Sequence, residues 1–487
     1  MRAAYDVEEV RSAEGTLLAR LPDGTLMQRA AAGLARTSAT VLGRVYGSRV
    51  VLLVGAGDNG GDTLYAGERL ARRGARVDAL LLTPEKAHPG GLAALTRAGG
   101  RVTTDESVLD TADLVLDGIV GIGGSGGLRA EAAPLVARAE SGPGHVVAVD
   151  VPSGVDGSTG EVSGAAVHAE VTVTFGAVKA GLLVAPGAWH AGSVVPVDIG
   201  LQPELPAPGV TALQAADVGR LLPVPGYEAD KYSRGVLGVC AGSRAYPGAA
   251  VLAVGGALRA GAGMVRFAAA AHPVELVRQH WPEVVTTILP PGEGGGVLEA
   301  GRVQAWAVGP GLGQDDDARA VLDAVLAAEP PVLVDADGIN VLADDRSALR
   351  LREGPTLLTP HAGELARLLD VDRADVEARR LAYARRAAEE TGATVLLKGS
   401  TTLVATPEGH VRVNTTGTPW LGTAGSGDVL SGFAGALLAQ GLQPLDAGSV
   451  AAWLHGQAAR LAGDGDVGLR ASDLLDAWPR AVAVVRP

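Results

Sequence analysis

The stretch Asn414-Thr-Thr-Gly-Thr-Pro-Trp-Leu-Gly-Thr-Ala-Gly-Ser-Gly-Asp428 decides how the fold of this chain is interpreted. Glycines, among them Gly425 and Gly427, lead into Asp428, and an apolar run with helical spacing follows over Val429–Leu438. Free N–H groups at a helix start bind phosphate, and glycine lets a ligand approach the backbone closely. A carboxylate at that place can also accept a proton. The stretch therefore predicts a phosphoryl-transfer or phosphate-binding site with Asp428 as its base; the alternative is an ordinary helix start capped by Asp428.

Length and composition limit the class of protein. At 487 residues the chain is too long for one ordinary core, which predicts roughly two to three domains. An apolar content of 47% with 20% charged residues is typical of a soluble globular protein. A net charge of −13 argues against nonspecific binding to nucleic acid or to an anionic membrane.

Cysteine usage and apolar runs bear on the cellular location. The single cysteine, Cys240, excludes an internal disulfide and a multi-thiol zinc site. Residues 1–30 lack the apolar core of a signal peptide, and the apolar runs fit packed soluble helices better than membrane spans. A cytoplasmic location is therefore expected, and the Ala/Gly-rich composition favours self-association into a homo-oligomer.

A proline-rich linker divides the chain. Leu201–Leu213 holds three prolines, which predicts a linker at 205–213 between domains at 1–204 and 214–487. On both sides, strand-like runs alternate with helical patterns, which predicts α/β domains with mostly parallel sheets. In the first half the predicted strands are 49–54, 76–82, 114–117, 146–151, 170–175 and 193–199. In the second half they are 236–241, 264–268, 305–309, 332–335, 356–359 and 394–398, with a hairpin at 401–405 and 410–414.

The first half carries a glycine loop after its first strand. Gly55, Gly57 and Gly60 have the G-x-G-x-x-G spacing of a dinucleotide loop, and a predicted helix over 61–73 follows. The acid expected at the end of the next strand is missing, so a hydride-transferring Rossmann site is not favoured. The run Asp58-Asn-Gly-Gly-Asp62 suits ribose or a hard cation better than a pyrophosphate alone.

Further polar side chains follow other predicted strands of this half. Asp117 and Asp150 each close a strand, and Asn59 stands in the glycine loop. Ligands of open α/β sheets bind at the carboxyl ends of the strands, so these three side chains are expected to converge there. Each of them alone could equally be a turn or helix-cap residue.

Five segments of the first half resemble the NAD(P)H-hydrate epimerase domain, whose fold is a Rossmann-like three-layer sandwich. They are Leu26-Met-Gln-Arg29, Asp58-Asn-Gly-Gly-Asp62, Asp117-Gly-Ile-Val-Gly, Val149-Asp-Val-Pro-Ser-Gly154 and Thr174-Phe-Gly-Ala-Val-Lys179. The sequence departs from the common family pattern at Asp58, which replaces an asparagine, and at Thr63, which replaces a glycine.

The resemblance implies a set of functional residues. Asp150 would be the acid/base group, and Asn59, Asp117 and Ser153 would hold a potassium ion. The residues expected to contact the damaged cofactor are Asp58, Asn59, Gly60, Gly61, Asp62, Gly121, Ile122, Gly123, Gly124, Ser125, Gly126, Gly127 and Asp150.

In the second half, polar or glycine-rich motifs follow several predicted strands. The segment Lys398-Gly-Ser-Thr-Thr402 offers a cation, hydroxyls and backbone donors to a phosphate. His361 directly follows a strand-end proline, which makes it a candidate site residue, although a lone histidine is usually structural. The loop Tyr246-Pro-Gly-Ala249 permits close ligand approach, and plain helix–strand packing explains it nearly as well.

The motifs of residues 215–487 together resemble the ribokinase-like superfamily, an α/β/α fold, and specifically its NAD(P)H-hydrate dehydratase branch. The matching pieces are Gly309-Pro-Gly-Leu-Gly, Asp335-Ala-Asp, Thr359-Pro-His-Ala-Gly-Glu, Leu397-Lys-Gly and Gly425-Ser-Gly-Asp428. By resemblance, the adenine nucleotide would be bound by Lys398, Gly399, Ser400, Thr401, Thr402 and Gly427. The hydrate site would be lined by Ala249, Gly311, Gly313, His361 and Asp428.

The two resemblances together predict a repair enzyme with two activities. It would epimerise the R and S hydrates of NADH and NADPH (NADHX and NADPHX) at C6 of the nicotinamide ring. It would also dehydrate the S hydrate with ADP as phosphoryl donor and Mg²⁺ as counter-ion, releasing AMP and phosphate. Two alternatives stay open: a ribokinase-like small-molecule kinase, and a first half that binds without turnover.

Overall fold

The chain forms two compact units, Ala3–Val210 and Thr211–Pro487, the second of which includes Met1–Arg2. The computed structural model describes residues 1–124, 126–463 and 468–486, so the predicted substrate residue Ser125 lies outside the described residues. The finer domain limits, 1–204 and 214–487, stay a prediction. Across the described ranges, the helices are too short or too polar to cross a bilayer.

The N-terminal unit contains a seven-stranded sheet whose pairings are parallel. Its order is β4-β3-β2-β5-β6-β7-β8. After a short strand, β1 (Arg2–Ala4), the strands are β2 (Arg49–Val54), β3 (Arg76–Leu81), β4 (Arg101–Val102), β5 (Leu114–Gly118), β6 (His145–Val149), β7 (Val171–Phe175) and β8 (Ser193–Val197). The helices are α1 (Val7–Leu18), α2 (Thr25–Leu42), α3 (Asp58–Arg72), α4 (Pro89–Arg97), α5 (Ala133–Ser141) and α6 (Gly187–Ala191).

The strand order of this sheet reverses between β2 and β5. Loops diverge there to opposite faces and leave a crevice at the carboxyl ends of the two strands, where α/β proteins bind ligands. The helix after β2 begins at Asp58, three residues before the predicted start at Gly61. Gly57 takes the N-cap position in a left-handed conformation (φ 82°), which lets the chain turn directly from strand to helix. The first turn of α3 therefore carries the motif Asp58–Asp62.

The strands that follow along the chain are β9 (Val210–Ala212), β10 (Val236–Cys240), β11 (Met264–Ala269), β12 (Val285–Ile288), β13 (Ala305–Val308), β14 (Val332–Val334), β15 (Thr356–Leu358), β16 (Thr394–Leu397), β17 (Thr402–Ala405) and β18 (Val411–Asn414). The sheet of the C-terminal unit includes them in the order β9-β18-β17-β16-β15-β14-β13-β10-β11-β12. The helices are α7 (Ala215–Leu221), α8 (Pro247–Arg259), α9 (Ala271–His280), α10 (Asp316–Ala327), α11 (Asp337–Asp344), α12 (Ser347–Leu351), α13 (Ala362–Leu369), α14 (Arg373–Ala378), α15 (Arg380–Thr391), α16 (Ser426–Ala439), α17 (Pro444–Ala462) and α18 (Ala471–Val485).

The pairings of this sheet are parallel from β12 to β16, and the predicted hairpin, β17–β18, adds two antiparallel pairings at β16/β17 and β17/β18. The strand order reverses between β10 and β13, which opens a second crevice at carboxyl ends. The predicted α/β class is thus confirmed in both units.

Helix α16 is held in place by direct backbone contact with α8. A Cβ atom on Gly432 would lie 2.0 Å from the Ala253 carbonyl oxygen, and one on Gly256 would lie 2.5 Å from the Val429 carbonyl oxygen. Both helices contribute to the main apolar core, in which Phe433 is fully buried. Because glycine allows the two backbones to touch, the start of α16 has a fixed position above the sheet.

Gly256→Ala tests this packing. The added methyl group must displace α16, so we expect the free energy of unfolding to fall by about 1–3 kcal/mol. Gly248→Ala in the same helix is the control, because its methyl group would meet nothing within 4 Å. Both effects are measured as shifts of the denaturant midpoint, with the slope of the unfolding free energy against denaturant concentration unchanged. Equal losses in the two variants would show that the close contact does not stabilise the unit.

Candidate active sites

A cavity of about 630 Å³ opens at the carboxyl ends of β2, β5 and β6 in the N-terminal unit. Gly60 and Gly61 lie behind its wall; a Cβ atom on Gly60 would come within 2.3 Å of the Gly55 carbonyl oxygen. The predicted residues that line the cavity are Asp58, Asn59, Asp62, Gly121, Ile122, Gly123, Gly124, Gly126, Gly127 and Asp150. Of the three strand-end side chains expected to converge, Asn59 and Asp150 line the cavity, whereas Asp117 is fully buried and does not.

Asp150 stands on the cavity wall in a left-handed backbone conformation (φ 68°), which is strained for a residue with a side chain. Its Oδ1 atom accepts hydrogen bonds from Lys179 Nζ at 2.5 Å, from the Phe175 N–H at 3.0 Å and from the Thr174 hydroxyl at 3.2 Å. Within the described part of the chain no donor reaches its Oδ2 atom. One carboxylate oxygen is thus fixed by the protein, and the other is left for a ligand.

Lys179 contacts Asp150 at this candidate site, although the sequence analysis gave it no role. Its side chain is fully buried, and its Nζ atom also donates to the Phe175 carbonyl oxygen at 2.9 Å. The signal was present, because Lys179 is one of only four lysines in the chain. The ammonium group orients Asp150 and supplies positive charge beneath the cavity.

The pKa values of two further carboxyl groups in this cavity are raised. Burial raises the pKa of Asp62 well above its usual range, and the charges of Asp150 and Asp58 add to the effect. Its Oδ1 atom is buried and has no hydrogen-bond partner in the part of the chain that the structure describes. Burial also raises the pKa of Glu14, on α1, to about 7, although the Lys179 ammonium opposes the shift. An acidic cavity that keeps protons at neutral pH is suited to proton transfer.

The three residues predicted to hold potassium are arranged in two groups. Ser153 donates to Asp117 twice, from its hydroxyl to Oδ1 at 2.7 Å and from its N–H to Oδ2 at 2.8 Å. Burial raises the pKa of Asp117 to about 6, while these hydrogen bonds oppose the shift. Asn59 lies on the cavity wall, and its buried Nδ2 atom has no partner among the described residues.

The departure at Thr63 is accommodated by Gly118 at the end of β5. The Thr63 hydroxyl donates to the Asn59 carbonyl oxygen at 2.7 Å. A Cβ atom on Gly118 would lie only 1.9 Å from this hydroxyl, so the threonine fills the space that Gly118 leaves. The turn that carries Asn59 is therefore kept with a threonine at this position.

The C-terminal candidate site begins at the N-terminus of α16. Gly425 caps the helix in a left-handed conformation (φ 87°). Lys398 Nζ lies 2.7 Å from Asp335 Oδ1 and 3.8 Å from Glu364 Oε2. A Cβ atom on Gly427 would lie 3.4 Å from the same Nζ atom. A cation therefore stands directly beside free helix N–H groups, which is an arrangement for binding an anion such as phosphate.

Asp335 anchors this arrangement. It is almost fully buried, and its Oδ2 atom accepts a hydrogen bond of 2.6 Å from the Ser431 hydroxyl on α16. Burial lowers the pKa of Lys398, but the charges of Asp335 and Glu364 outweigh it and raise the pKa overall. Burial, aided by the charge of Asp335, raises the pKa of Asp428 to about 7. The sequence analysis quoted Asp335 and Glu364 in motifs without a role and missed Ser431.

The loops that carry the other predicted hydrate residues meet at the second crevice. Gly311 is left-handed (φ 60°), and a Cβ atom on it would lie 2.8 Å from the Ala249 Cβ atom. The Gly313 N–H donates to Asp337 Oδ2 at 3.0 Å. Close approach of these two loops explains why both are built from small residues.

The segment predicted to bind the nucleotide is supported by a buried arginine. Arg380 donates to the Lys398 carbonyl oxygen at 2.8 Å, and burial lowers its pKa to about 10. A Cβ atom on Gly399 would lie 2.3 Å from an Arg380 guanidinium nitrogen, so glycine is required there. Ser400 is exposed, whereas Thr401 and Thr402 are buried.

His361 has a structural role in addition to any role in binding. Its Nδ1 atom accepts hydrogen bonds from the Gly363 N–H at 2.9 Å and the Glu364 N–H at 3.1 Å, so it caps α13. The Glu364 side chain accepts in return from the His361 N–H at 2.8 Å, which completes a capping box. Burial lowers the pKa of His361, which favours the neutral ring that this cap requires.

Comparison with known proteins identifies both halves. Models described as NAD(P)H-hydrate dehydratase and YjeF-related protein N-terminus match residues 237–480 and 23–181. The bifunctional NAD(P)H-hydrate repair enzyme of Mycobacterium leprae is 49% identical over 100% of both chains. That of Mycobacterium tuberculosis (strain CDC 1551 / Oshkosh) is 51% identical over 91% of this chain and 90% of its own. The solved ADP/ATP-dependent NAD(P)H-hydrate dehydratase from Bacillus subtilis is 32% identical, covers 56% of this chain and 97% of its own, and has a TM-score of 0.51.

The two units contain a parallel sheet and a mainly parallel sheet, with polar groups at the carboxyl ends of the strands, and the second unit has a glycine-rich helix start beside Lys398. These features define an α/β enzyme with a ribokinase-like C-terminal domain. The chain belongs to the family of bifunctional NAD(P)H-hydrate repair enzymes. The resemblance of each half to a repair domain is thereby confirmed.

Substitutions at His361 separate its two roles. His361→Ala removes the cap of α13 and should lower the free energy of unfolding by about 1 kcal/mol. His361→Asn keeps a good capping side chain and removes only the imidazole, so its stability should match that of the wild type. If the ring also contacts the hydrate, both variants should raise KM for ADP-dependent dehydration. Unchanged kinetics in His361→Asn would leave the cap as the only role of His361.

Proposed function

We propose that the chain repairs hydrated NADH and NADPH by two reactions. The N-terminal half interconverts the R and S hydrates at C6 of the nicotinamide ring. The C-terminal half dehydrates the S hydrate with ADP and releases AMP and phosphate. The observation that carries this proposal is Asp428, whose pKa is raised to about 7 at the start of α16, beside the ammonium group of Lys398. Membership of the repair family supports both reactions.

Dehydration needs a better leaving group than hydroxide. Asp428 accepts the proton of the C6 hydroxyl while the hydroxyl oxygen bonds to the β-phosphorus of ADP, and AMP departs. Lys398 and the N–H groups at the start of α16 stabilise the charge on the phosphoryl oxygens. The C6–O bond then breaks, and phosphate leaves with the electron pair, assisted by the lone pair of N1. Loss of a proton from C5 restores the ring double bond of NADH or NADPH.

For this reaction, we propose the nucleotide and hydrate residues that the family resemblance implies in the C-terminal half. Lys398, whose ammonium group faces the start of α16, lies where the phosphates of the nucleotide would bind. The proposed nucleotide residues are Lys398, Gly399, Ser400, Thr401, Thr402 and Gly427. The proposed hydrate residues are Ala249, Gly311, Gly313, His361 and Asp428.

In the N-terminal half, the 630 Å³ cavity is the proposed binding place of the hydrate. Asp150 is the proposed base, because its Oδ1 atom is fixed by Lys179 and its Oδ2 atom is left for the substrate. The glycine-rich wall formed by residues 121–124, 126 and 127 would let the cofactor approach the backbone. The proposed limits of this domain are 1–204.

Potassium and magnesium are the proposed metal cofactors. The side-chain carbonyl oxygen of Asn59, the hydroxyl oxygen of Ser153 and the carboxylate of Asp117 are the oxygen ligands that would hold a monovalent cation, and Ser153 already lies against Asp117. The positive charge of the cation would stabilise the buried Asp117. No cluster of three or more His, Cys, Asp or Glu side chains suited to a metal ion occurs in the described ranges. Magnesium would therefore be held chiefly by the phosphates of ADP and by water.

Asp428→Asn tests the dehydratase. Incubation of the wild type with ADP and mixed hydrates should restore the absorbance of NADH, and the variant should be slower by about 100-fold or more. Only the carboxylate form can accept a proton, so the wild-type rate should fall as the pH drops below about 7. Absence of any recovery in the wild type would refute the proposed function. A stable phosphorylated product would indicate a kinase instead.

Exchange of potassium for sodium tests the proposed cation site. Epimerisation in the absence of ADP should be faster in potassium, and potassium should raise the unfolding midpoint of the wild type because it binds only the folded state. Ser153→Ala should lose both effects. ADP-dependent dehydration of purified S hydrate, measured in parallel, controls for effects of the salt on the C-terminal half. Equal midpoints in the two salts would contradict a potassium site.

A further inference from the structure

Glu14 lies within the N-terminal cavity but had no role in the sequence analysis. It stands on α1 and lines the cavity together with Asp58, Asp62 and Asp150. No hydrogen bond or ion pair engages its carboxyl group within the part of the chain that the structure describes. A half-buried carboxyl group without a structural partner, facing a ligand cavity, is available for chemistry.

The proposed epimerisation, on which this inference rests, needs two proton-handling groups. Inversion at C6 requires a bond to that carbon to break and to form again on the other face of the ring. In a ring-opening route, a base removes the proton of the hydroxyl, and the C6–N1 bond breaks with its electron pair going to N1. C6 becomes an aldehyde carbon, and an acid supplies the proton that N1 takes up. After rotation about the C5–C6 bond, both transfers reverse.

The two groups must begin in opposite protonation states. Asp150 is the carboxylate partner of the Lys179 ammonium, which suits it to accept the hydroxyl proton. We propose that Glu14 is the proton donor of the epimerase reaction, acting on the ring nitrogen while Asp150 acts on the hydroxyl. The nearby Asp62 has a buried Oδ1 atom without a hydrogen-bond partner among the described residues, so this side of the cavity offers a further polar group to a ligand.

The charges that face Glu14 support a donor role. Asp150 and Asp58 repel its negative form, whereas Lys179 and Arg11 attract it. Asp62 faces the same cavity, and burial raises its own pKa well above the usual range. Burial, the largest influence, raises the pKa of Glu14 to about 7. Glu14 therefore carries its proton through the lower part of the neutral range and loses it as the pH rises. A proton donor with a pKa near the working pH transfers its proton efficiently.

Glu14→Gln tests the assignment in the full chain. Purified R hydrate is followed to the R/S mixture without ADP, so that the C-terminal half consumes nothing. We expect the kcat of epimerisation to fall by about 100-fold or more. The wild-type rate should decline as the pH rises above about 7, and this decline should vanish in the variant. Glu9→Gln on the same helix is the matched control, because glutamine can replace Glu9 in the capping box of α1.

Two further measurements, the unfolding midpoint and the ADP-dependent dehydration, distinguish a catalytic role of Glu14 from a structural one. Glu14→Gln should keep the unfolding midpoint and the ADP-dependent dehydration of S hydrate. If its midpoint falls, Glu14→Asp, which keeps an ionisable group, must still show the decline at high pH. Epimerisation by Glu14→Gln with the rate and pH profile of Glu9→Gln would overturn the assignment while leaving the epimerase function intact. A wild type that interconverts neither hydrate would refute the epimerase function itself.

Discussion

A buried ion pair between lysine and aspartate stands at the carboxyl ends of the strands in each unit. Lys179 Nζ lies 2.5 Å from Asp150 Oδ1, and Lys398 Nζ lies 2.7 Å from Asp335 Oδ1. Removing both charges from water costs several kcal/mol per ion unless the pairing is close and further hydrogen bonds are made. In each pair a backbone N–H or a side-chain hydroxyl also donates to the aspartate, which offsets that cost. Each pair connects loops that follow different strands. The positions of the surrounding polar groups depend on this connection.

A third carboxyl group next to each pair is raised in pKa to about 7. In the N-terminal unit it is Glu14, and in the C-terminal unit it is Asp428. Burial is the largest cause in both, with a neighbouring aspartate adding repulsion. The folded state therefore binds these two protons more tightly than the unfolded chain does, and stability is lost as the pH rises from the usual carboxyl range towards about 7. Groups that cost stability at the working pH are characteristic of functional sites rather than of structural ion pairs.

The sequence predicts local features of these sites better than contacts between distant segments. The strand ends at Asp117 and Asp150 can be predicted from sequence, because a run of apolar residues followed by an acid is a local pattern. The approach of Lys179 to Asp150 and of Glu14 to the same cavity depends on tertiary packing, which a spacing pattern does not contain. The cap formed by His361 was missed for a different reason. Histidine is uncommon as an N-cap, so its position after a strand-end proline favoured a binding role instead.

The two crevices differ in what surrounds the aspartate–lysine pair, and the difference matches the bonds that each proposed reaction must break. Expulsion of the hydroxyl oxygen requires that it first become part of a phosphate, so Lys398 lies beside the free N–H groups of α16, where negative charge develops. Epimerisation returns every atom to its place and needs no such leaving group. Its cavity instead gathers Glu14 and Asp62, whose pKa values are raised chiefly by burial and further by the charges of Asp150 and Asp58. The same pair, set at the same edge of a parallel sheet, thus supports phosphoryl transfer in one unit and proton exchange in the other.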